Sequence, residues 1–241
     1  MNTMTTESIA ARLTECGIPY TPELPEKLKI YMDLLSEWNA VMDLTAVTDE
    51  DETLDKHFVD SLSILPTGLL NGGKTLIDVG TGAGFPGLVL ALACPGIEVT
   101  LLDAQQKRLN FLQAVCERLG VTNVRTVHAR AEDGAKMPGM REHFDFAVAR
   151  AVAPLNVLCE YLLPYVRVGG KMICWKGPAL DEEAEQGAKA AAILGGKPEQ
   201  VVLCPIPGRD WDHRLQVIGK NAQTPKKYPR KAGTPKTSPL G

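Results

Sequence analysis

The chain has 241 residues, of which 44% are hydrophobic and 23% charged, which suits one large domain with a small appendage. No apolar run approaches the roughly 20 residues of a membrane span, and the first residues lack the basic and apolar segments of a signal peptide. Six scattered cysteines without a C-x-x-C pair argue against a zinc site or a disulfide framework. These features predict a cytoplasmic protein without a metal and without a membrane.

The net charge of −3 conceals an uneven distribution. Residues 1–60 hold 13 acidic and 4 basic side chains, whereas residues 220–241 hold six basic side chains and no acidic one. A basic, proline-punctuated arm on an acidic protein is typical of contact with nucleic acid. A solvated, disordered tail has the same composition, and charge alone leaves both interpretations open.

The first 70 residues are predicted to form a helical extension. A short amphipathic helix over residues 8–16 precedes a longer one, whose apolar residues recur at helical spacing and indicate core packing. They are Leu24, Leu28, Tyr31, Leu35, Trp38 and Met42. A loop over 43–48 follows, and then further helix that carries His57. A single histidine on an apolar helix is more often a structural residue than a functional one.

From residue 75 the pattern changes to alternating strands and helices. The predicted strands are 75–80, 97–103, 124–128, 144–149, 171–175, 199–205 and 213–219. The predicted helices are 85–94, 105–119, one from about 154, and 180–194. This order predicts an α/β fold over 71–220 with a mostly parallel, doubly wound, seven-stranded sheet. Because no helix separates the last two strands, they should form an antiparallel hairpin, followed by a basic tail over 221–241.

A glycine-rich turn follows the first strand, in the run Asp78-Val79-Gly80-Thr81-Gly82-Ala83-Gly84. Glycine allows positive φ and lets backbone N–H groups approach a ligand, so a strand, such a turn and a helix N-terminus predict a nucleotide-binding crevice. Phe85 stands where a dinucleotide fingerprint would have its last glycine. The run resembles instead the D-x-G-x-G-x-G turn of S-adenosylmethionine (AdoMet) methyltransferases.

Charged residues follow the ends of the next strands, at the edge of the sheet where this crevice should lie. Asp103 ends the second strand, where a carboxylate can accept both ribose hydroxyls. Ala131-Glu132 follows the third strand and could bind an adenine edge or form a helix N-cap pair. Arg150 and Lys176 end the fourth and fifth strands, and two such cations could hold a phosphate or a carboxylate.

Several segments together resemble the bacterial RsmG (GidB) family. They are Asp78–Gly87, Leu101-Leu102-Asp103 with Lys107-Arg108, Ala149-Arg150-Ala151, Lys176-Gly177 and the tail Thr224-Pro225-Lys226-Lys227-Tyr228-Pro229-Arg230-Lys231. The resemblance implies a Rossmann-like class I methyltransferase that uses AdoMet to methylate N7 of guanine 527 in the 530 loop of 16S ribosomal RNA. It also implies 16S RNA or a precursor of the 30S subunit as partner, for which we expect a monomer.

The resemblance implies roles for individual residues. The expected cofactor-binding set is Asp78, Gly80, Gly82, Phe85, Asp103, Ala131, Glu132 and Arg150. Arg150 and Lys176 are expected to orient the base or its phosphate as catalytic residues that carry no proton. Deletion of 221–241 is expected to weaken RNA binding and to leave AdoMet affinity unchanged. Two positions depart from the family pattern, Asp43 in place of the usual Asn and His213-Arg214 in place of an earlier Arg, and neither receives a role.

Two other functions stay open at this point. A nicotinamide-dependent oxidoreductase shares the strand, turn and helix but is disfavoured by Phe85 and by the terminal hairpin. A non-catalytic RNA-binding or assembly factor could keep the fold, although the intact run from Asp78 and the carboxylate of Asp103 argue against a decayed site.

Overall fold

The computed structural model describes residues 4–150 and 152–241; Ala151 of the Ala149–Ala151 motif lies outside them. It contains a seven-stranded sheet in the order β3-β2-β1-β4-β5-β7-β6. The strands are β1 Thr75–Val79, β2 Glu98–Asp103, β3 Val124–His128, β4 Phe144–Arg150, β5 Val166–Lys176, β6 Gly196–Leu203 and β7 Arg214–Lys220. Strands β1 to β5 pair in parallel, and β7 runs antiparallel to both β5 and β6. The predicted fold class is confirmed.

Helices lie on both faces of this sheet. They are α1 Thr6–Glu15, α2 Leu24–Met42, α3 Glu50–Thr53, α4 Asp60–Leu62, α5 Gly87–Ala93, α6 Gln106–Leu119, α7 Ala131–Gly134, α8 Leu155–Leu162, α9 Leu180–Ile193 and α10 Thr234–Thr237. A π-helical turn, Leu54–Val59, joins α3 to α4. The N-terminal helices share one hydrophobic core with α5 and α6, and α8 and α9 form the core on the opposite face.

The apolar stripe of α2 packs as predicted and also reaches the glycine turn. Tyr31 is fully buried, stacks on Phe85 with ring centroids 5.6 Å apart, and donates its hydroxyl hydrogen to the carbonyl of Ala83. Trp38 packs against Phe111 of α6 at 5.6 Å. The N-terminal helices therefore support the turn directly.

The structure differs from the predicted elements mainly at glycine pairs. Strand β5 begins at Val166, five residues before the predicted start, because Val166 already pairs with Phe144 of β4. The pairing is irregular around Gly169, whose φ is +85°, and resumes at Lys171. Strand β6 begins at Gly196 although the pair at 195–196 predicted a helix end followed by a loop. Glycine weakens a strand without forbidding one, and pairing with neighbouring strands decides the outcome here. Among the described residues, no helix combines the length and the apolar character that a bilayer crossing requires.

Two glycines of the turn provide a matched test of how closely α2 approaches it. Gly84 has φ +97°, and a Cβ there would overlap the Tyr31 hydroxyl and lie 2.8 Å from Leu112 Cδ2. Gly82 has φ +59° with nothing within 4 Å of its Cβ position. We expect Gly84→Ala to lower the free energy of unfolding by about 1–3 kcal/mol more than Gly82→Ala, because both carry the left-handed strain but only Gly84→Ala adds overlap. Equal losses in urea unfolding of the two variants would contradict this account.

Candidate active site

A crevice of about 530 Å³ opens at the carboxyl ends of β1, β2 and β4. Its size suits a small-molecule ligand. Seven of the nine predicted site residues line it: Gly80, Gly82, Phe85, Asp103, Ala131, Glu132 and Arg150. The sheet order explains this convergence, because the glycine turn follows β1, and its two neighbours in the sheet, β2 and β4, end at the same edge. Asp78 and Lys176 are not part of the lining.

Asp78 lies beneath the glycine turn, fully buried. Its Oδ2 accepts hydrogen bonds from Thr81 Oγ1 at 2.7 Å and from the backbone N–H of Gly87 at 2.8 Å. Burial raises its pKa to about 6 in spite of these two bonds. A Cβ at residue 87 would lie 2.5 Å from Asp78 Cβ, so the approach requires glycine there. Asp78 therefore braces the turn from beneath and lies outside the crevice lining, and its expected contact with the cofactor stays a prediction.

Asp103 faces the crevice from the end of β2, with only 3% of its surface exposed. Its Oδ2 accepts the N–H of Gly82 at 2.9 Å, and its Oδ1 accepts the N–H of Gln105 at 2.8 Å. Arg108 Nη1 lies 3.5 Å from Oδ2. Each carboxylate oxygen can accept a further hydrogen bond. The carboxylate is thus oriented by the turn and can still receive a pair of hydroxyl groups.

Glu132, in the first turn of α7, is 97% buried and forms a contact that the sequence did not reveal. Its Oε1 accepts the backbone N–H of Gly233, in the C-terminal segment, at 2.7 Å. The carbonyl of Ala131 accepts a hydrogen bond from Tyr165 Oη at 2.6 Å. No side chain caps α7, so the N-cap alternative for Ala131-Glu132 does not describe this pair. The C-terminal segment instead fixes one oxygen of a carboxylate that lines the crevice.

The C-terminal segment 221–241, here called the strap, lies along the body of the protein. Arg230 forms hydrogen bonds of 2.6–3.0 Å with the nearly fully buried carboxylate of Glu160. Arg141 donates to the carbonyls of Thr224 and Tyr228. Four strap side chains, Lys226, Lys227, Lys231 and Lys236, are exposed. The disordered-tail alternative is therefore wrong, and the strap presents lysines from an anchored backbone.

Arg150 ends β4 with its guanidinium directed at the N-terminal helices. Its Nη1 donates to the carbonyl of Lys56 at 2.6 Å and to Asp60 Oδ2 at 2.9 Å, and its Nη2 lies 3.3 Å from His57 Nδ1. The guanidinium carbon lies 5.2 Å from the ring centroid of Phe85. Arg150 thus lines the crevice while its charge is balanced by Asp60, a carboxylate that is 96% buried.

His57 belongs to the crevice, which its interpretation as a structural residue missed. Its ring stacks on Phe85 with centroids 4.7 Å apart, and its Nε2 lies 2.8 Å from Thr45 Oγ1. Burial and the charge of Arg150 lower its pKa to about 4, so the imidazole is neutral near pH 7. Thr45 and Leu44, from the loop after α2, also line the crevice. The only signal for them was their place in the segment where the family resemblance departs at Asp43.

Lys176 does not join Arg150. Its Nζ lies 2.6 Å from Glu183 Oε2 and 3.3 Å from the carbonyl of Ala153. The carboxylate belongs to α9, which begins four residues after the end of β5. Lys176 is paired with this carboxylate and lies outside the crevice lining, so an anion site shared with Arg150 stays a prediction.

The two positions that depart from the family pattern lie in defined surroundings. Asp43 ends α2 with φ +49°, a left-handed conformation that Asn and Asp adopt more readily than other side chains. An Asn-to-Asp exchange therefore preserves the backbone at this point. His213 Nδ1 lies 2.8 Å from Asp60 Oδ1, at ion-pair distance but not aligned for a hydrogen bond. His213 thus faces the same carboxylate that balances Arg150.

Solved structures of low sequence identity share this fold. A "predicted O-methyltransferase" from Agrobacterium tumefaciens is 20% identical with a TM-score of 0.52, over 66% of this chain and 81% of that one. MtNAS in complex with MTA and tNA is 16% identical with a TM-score of 0.53, over 92% of each chain.

Sequence comparisons identify the family. A family model described as GidB, rRNA small subunit methyltransferase G, matches residues 24–210. The ribosomal RNA small subunit methyltransferase G of Alkaliphilus metalliredigens (strain QYMF) is 48% identical, over 94% of this chain and 95% of that protein. The protein of the same name from Alkaliphilus oremlandii (strain OhILAs) is 50% identical, over 87% and 88%. The resemblance is confirmed, the oxidoreductase alternative is set aside, and the chain belongs to the GidB family of rRNA small subunit methyltransferases G.

Proposed function

We propose that this enzyme uses AdoMet to methylate N7 of guanine 527, in the 530 loop of 16S ribosomal RNA. Family membership and the names of the curated relatives support small-subunit ribosomal RNA as substrate. The position and atom of methylation follow from the resemblance of the motifs around Asp78, Arg150 and the strap. The geometry of the crevice supports both the cofactor and the type of reaction.

The residues at one end of the crevice fit AdoMet. Asp103 would receive the ribose hydroxyls, and Glu132 and the backbone at Ala131, which line the same crevice, would bind the adenine. Gly82 leaves open space above the turn, because nothing lies within 4 Å of its Cβ position. A mutant of MtNAS, 19% identical to this chain, was solved in complex with AdoMet. When bound, AdoMet supplies a methyl group made electrophilic by its sulfonium.

The other end of the crevice carries the proposal for the acceptor. It combines Arg150 paired with Asp60, the neutral imidazole of His57, the hydroxyl of Thr45 and the ring of Phe85. Guanine N7 has a free lone pair and no proton to lose. The N7 lone pair can form its bond to the methyl carbon as the C–S bond breaks, so positioning suffices and no general base is required. Arg150 acts here as a positioning residue that holds His57 and Phe85.

The RNA is proposed to reach the crevice across the cationic side chains around it. Arg108 and Arg130 line the crevice, and the strap, which reaches the crevice at Glu132, carries four exposed lysines. The A-form major groove is too narrow to present N7, so the target guanine must be unpaired or exposed during assembly. We accordingly infer a 30S precursor as substrate. We further propose that the enzyme is a monomer in the cytoplasm. Its methyltransferase unit is proposed to span 71–220, with 1–70 and 221–241 completing the site.

The proposal predicts one modified nucleotide. Incubation of the purified enzyme with AdoMet and with 30S precursors that lack the modification should produce 7-methylguanine at position 527, detected by mass spectrometry of RNA fragments. Arg150→Ala should lower the rate at least 10-fold, because it releases His57 and leaves Asp60 buried without its partner. Arg167→Ala, an exposed arginine paired with Asp145 at the other end of the sheet, is the control and should retain the rate. Methylation at another atom, or none by the wild type, would refute the proposal.

The strap contacts revise the expected effect of changing the C-terminal segment. Because Gly233 holds Glu132, and Arg230 anchors the same segment, Arg230→Ala should weaken AdoMet binding about 10-fold in calorimetry as well as RNA binding. Lys231→Ala removes an exposed charge from the next position. It should leave AdoMet affinity unchanged and reduce the salt dependence of RNA binding by about one ion.

Calorimetry in which Arg230→Ala binds AdoMet as tightly as the wild type would restore the original expectation that cofactor affinity is independent of the strap. Thermal unfolding of both variants provides the control, since loss of the partner of Glu160 also lowers stability.

A further inference from the structure

Three side chains on the crevice wall form a chain of hydrogen bonds whose directions can be worked out. Arg150 Nη2 lies 3.3 Å from His57 Nδ1, and His57 Nε2 lies 2.8 Å from Thr45 Oγ1. The backbone N–H of Val47 donates to the same Thr45 oxygen at 3.1 Å. This series of hydrogen bonds therefore runs from the end of β4 to the loop after α2.

The direction of each bond follows from the donor at its start. A guanidinium has only N–H donors, so the Nδ1 that faces Arg150 must be the acceptor. The neutral imidazole then carries its hydrogen on Nε2 and donates it to Thr45. A cationic ring would require a hydrogen on Nδ1 as well, directed at the guanidinium. Burial and the positive charge of Arg150 oppose that state, and they outweigh the Lys56 carbonyl and the Asp60 carboxylate, which favour it.

The hydroxyl of Thr45 is consequently left with its hydrogen free to donate. A hydroxyl oxygen has two lone pairs and one hydrogen. His57 and the backbone of Val47 use both lone pairs, so the hydrogen is available for donation. In the part of the chain that the structure describes, no hydrogen bond from this hydroxyl to a protein acceptor is formed. Thr45 is half-buried and lines the crevice, so its O–H is a donor available to a bound molecule.

Guanine presents a matching acceptor beside the atom that reacts. Its major-groove edge carries two acceptors, N7 and O6, whereas adenine has an amino donor in place of O6. N7 must keep its lone pair for the methyl group, which leaves O6 as the partner of a donor on the wall. Resting on the proposed function, we propose that Thr45 Oγ1–H donates to O6 of the target guanine and selects guanine over adenine. A donor at this position can form a hydrogen bond with O6 of guanine. With adenine the same donor would face an amino group, which is also a donor, and this disfavours binding.

Arg150 and His57 have a shared role under this assignment. They fix the tautomer that makes Thr45 a donor, so they are positioning residues for a hydrogen bond made by a third residue. The exposed side chain of Asp43, two positions before Thr45, is not part of the crevice lining. Its difference from the family pattern therefore leaves this donor unchanged.

The test pairs a protein change with a change of one atom in the RNA. Thr45→Val removes the hydroxyl, and 6-thioguanine at the target position replaces O6 by sulfur, a weak acceptor. We expect the wild type to prefer guanine over 6-thioguanine by a factor that falls about 3- to 10-fold in Thr45→Val, the value of one neutral hydrogen bond. Thr45→Ser keeps the hydroxyl and should keep the wild-type preference. Thr48→Val, an exposed threonine of the same loop, should keep both preference and rate.

The ratio of the rates with guanine and with 6-thioguanine distinguishes a base-contacting role of Thr45 from a structural one. If Thr45→Val slows both substrates equally, the hydroxyl supports only the loop and the assignment is wrong. If Thr45→Val methylates normally with an unchanged ratio, it is also wrong while the proposed function stands. If the wild type forms no 7-methylguanine on unmodified RNA, the proposed function fails and the assignment to Thr45 falls with it.

Discussion

The guanidinium of Arg150 connects the two halves of the crevice wall. It leaves the end of β4 and reaches the carboxylate of Asp60, the carbonyl of Lys56 and the imidazole of His57. A planar group with five donors can hold several acceptors at once, which an ammonium on a flexible stem cannot do equally well. Because Asp60 is buried, removal of Arg150 would leave that carboxylate facing His213, which is charged only when protonated, at a cost of about 3–5 kcal/mol. The N-terminal helices are thereby tied to the edge of the sheet that forms the crevice.

The remaining walls of the crevice are held in comparable ways by parts of the chain that are distant in sequence. Asp78 braces the glycine turn from below, and Tyr31 of α2 holds it from the side. The strap holds Glu132 from the other end. Each of these contacts is made by a side chain or backbone group that no ligand needs to touch. The segments before and after the sheet therefore shape the site, although a methyltransferase fold could bind a nucleotide with the sheet edge alone.

Much of the fold could be predicted because alternating strands and helices leave a local pattern. The turn after β1, Asp103 and Arg150 could be placed because parallel strands end at one edge. What the pattern could not reveal was pairing between distant groups. The sequence predicted Lys176 as an available cation because Glu183 on α9 gives no sign of reaching it. A disordered tail stayed open as an interpretation of the strap because the partners of Arg230 and Gly233 lie 70 and 101 residues away. His57 looked structural for the same reason, because its place in the crevice depends on contacts with Thr45, Phe85 and Arg150, which lie apart in the sequence.

The central claim is that Arg150 sets His57 as a neutral donor, so that the site positions a purine without moving a proton. Nitrogen-15 NMR of the histidine rings in the wild-type protein tests this directly, with His57→Gln to assign the signal. The account predicts a neutral His57 imidazole from about pH 5 upward, because burial and Arg150 lower its pKa to about 4. It also predicts that the ring hydrogen lies on Nε2, because Nδ1 faces the donors of Arg150. A ring that is cationic between pH 6 and 7, or that carries its hydrogen on Nδ1, would contradict it.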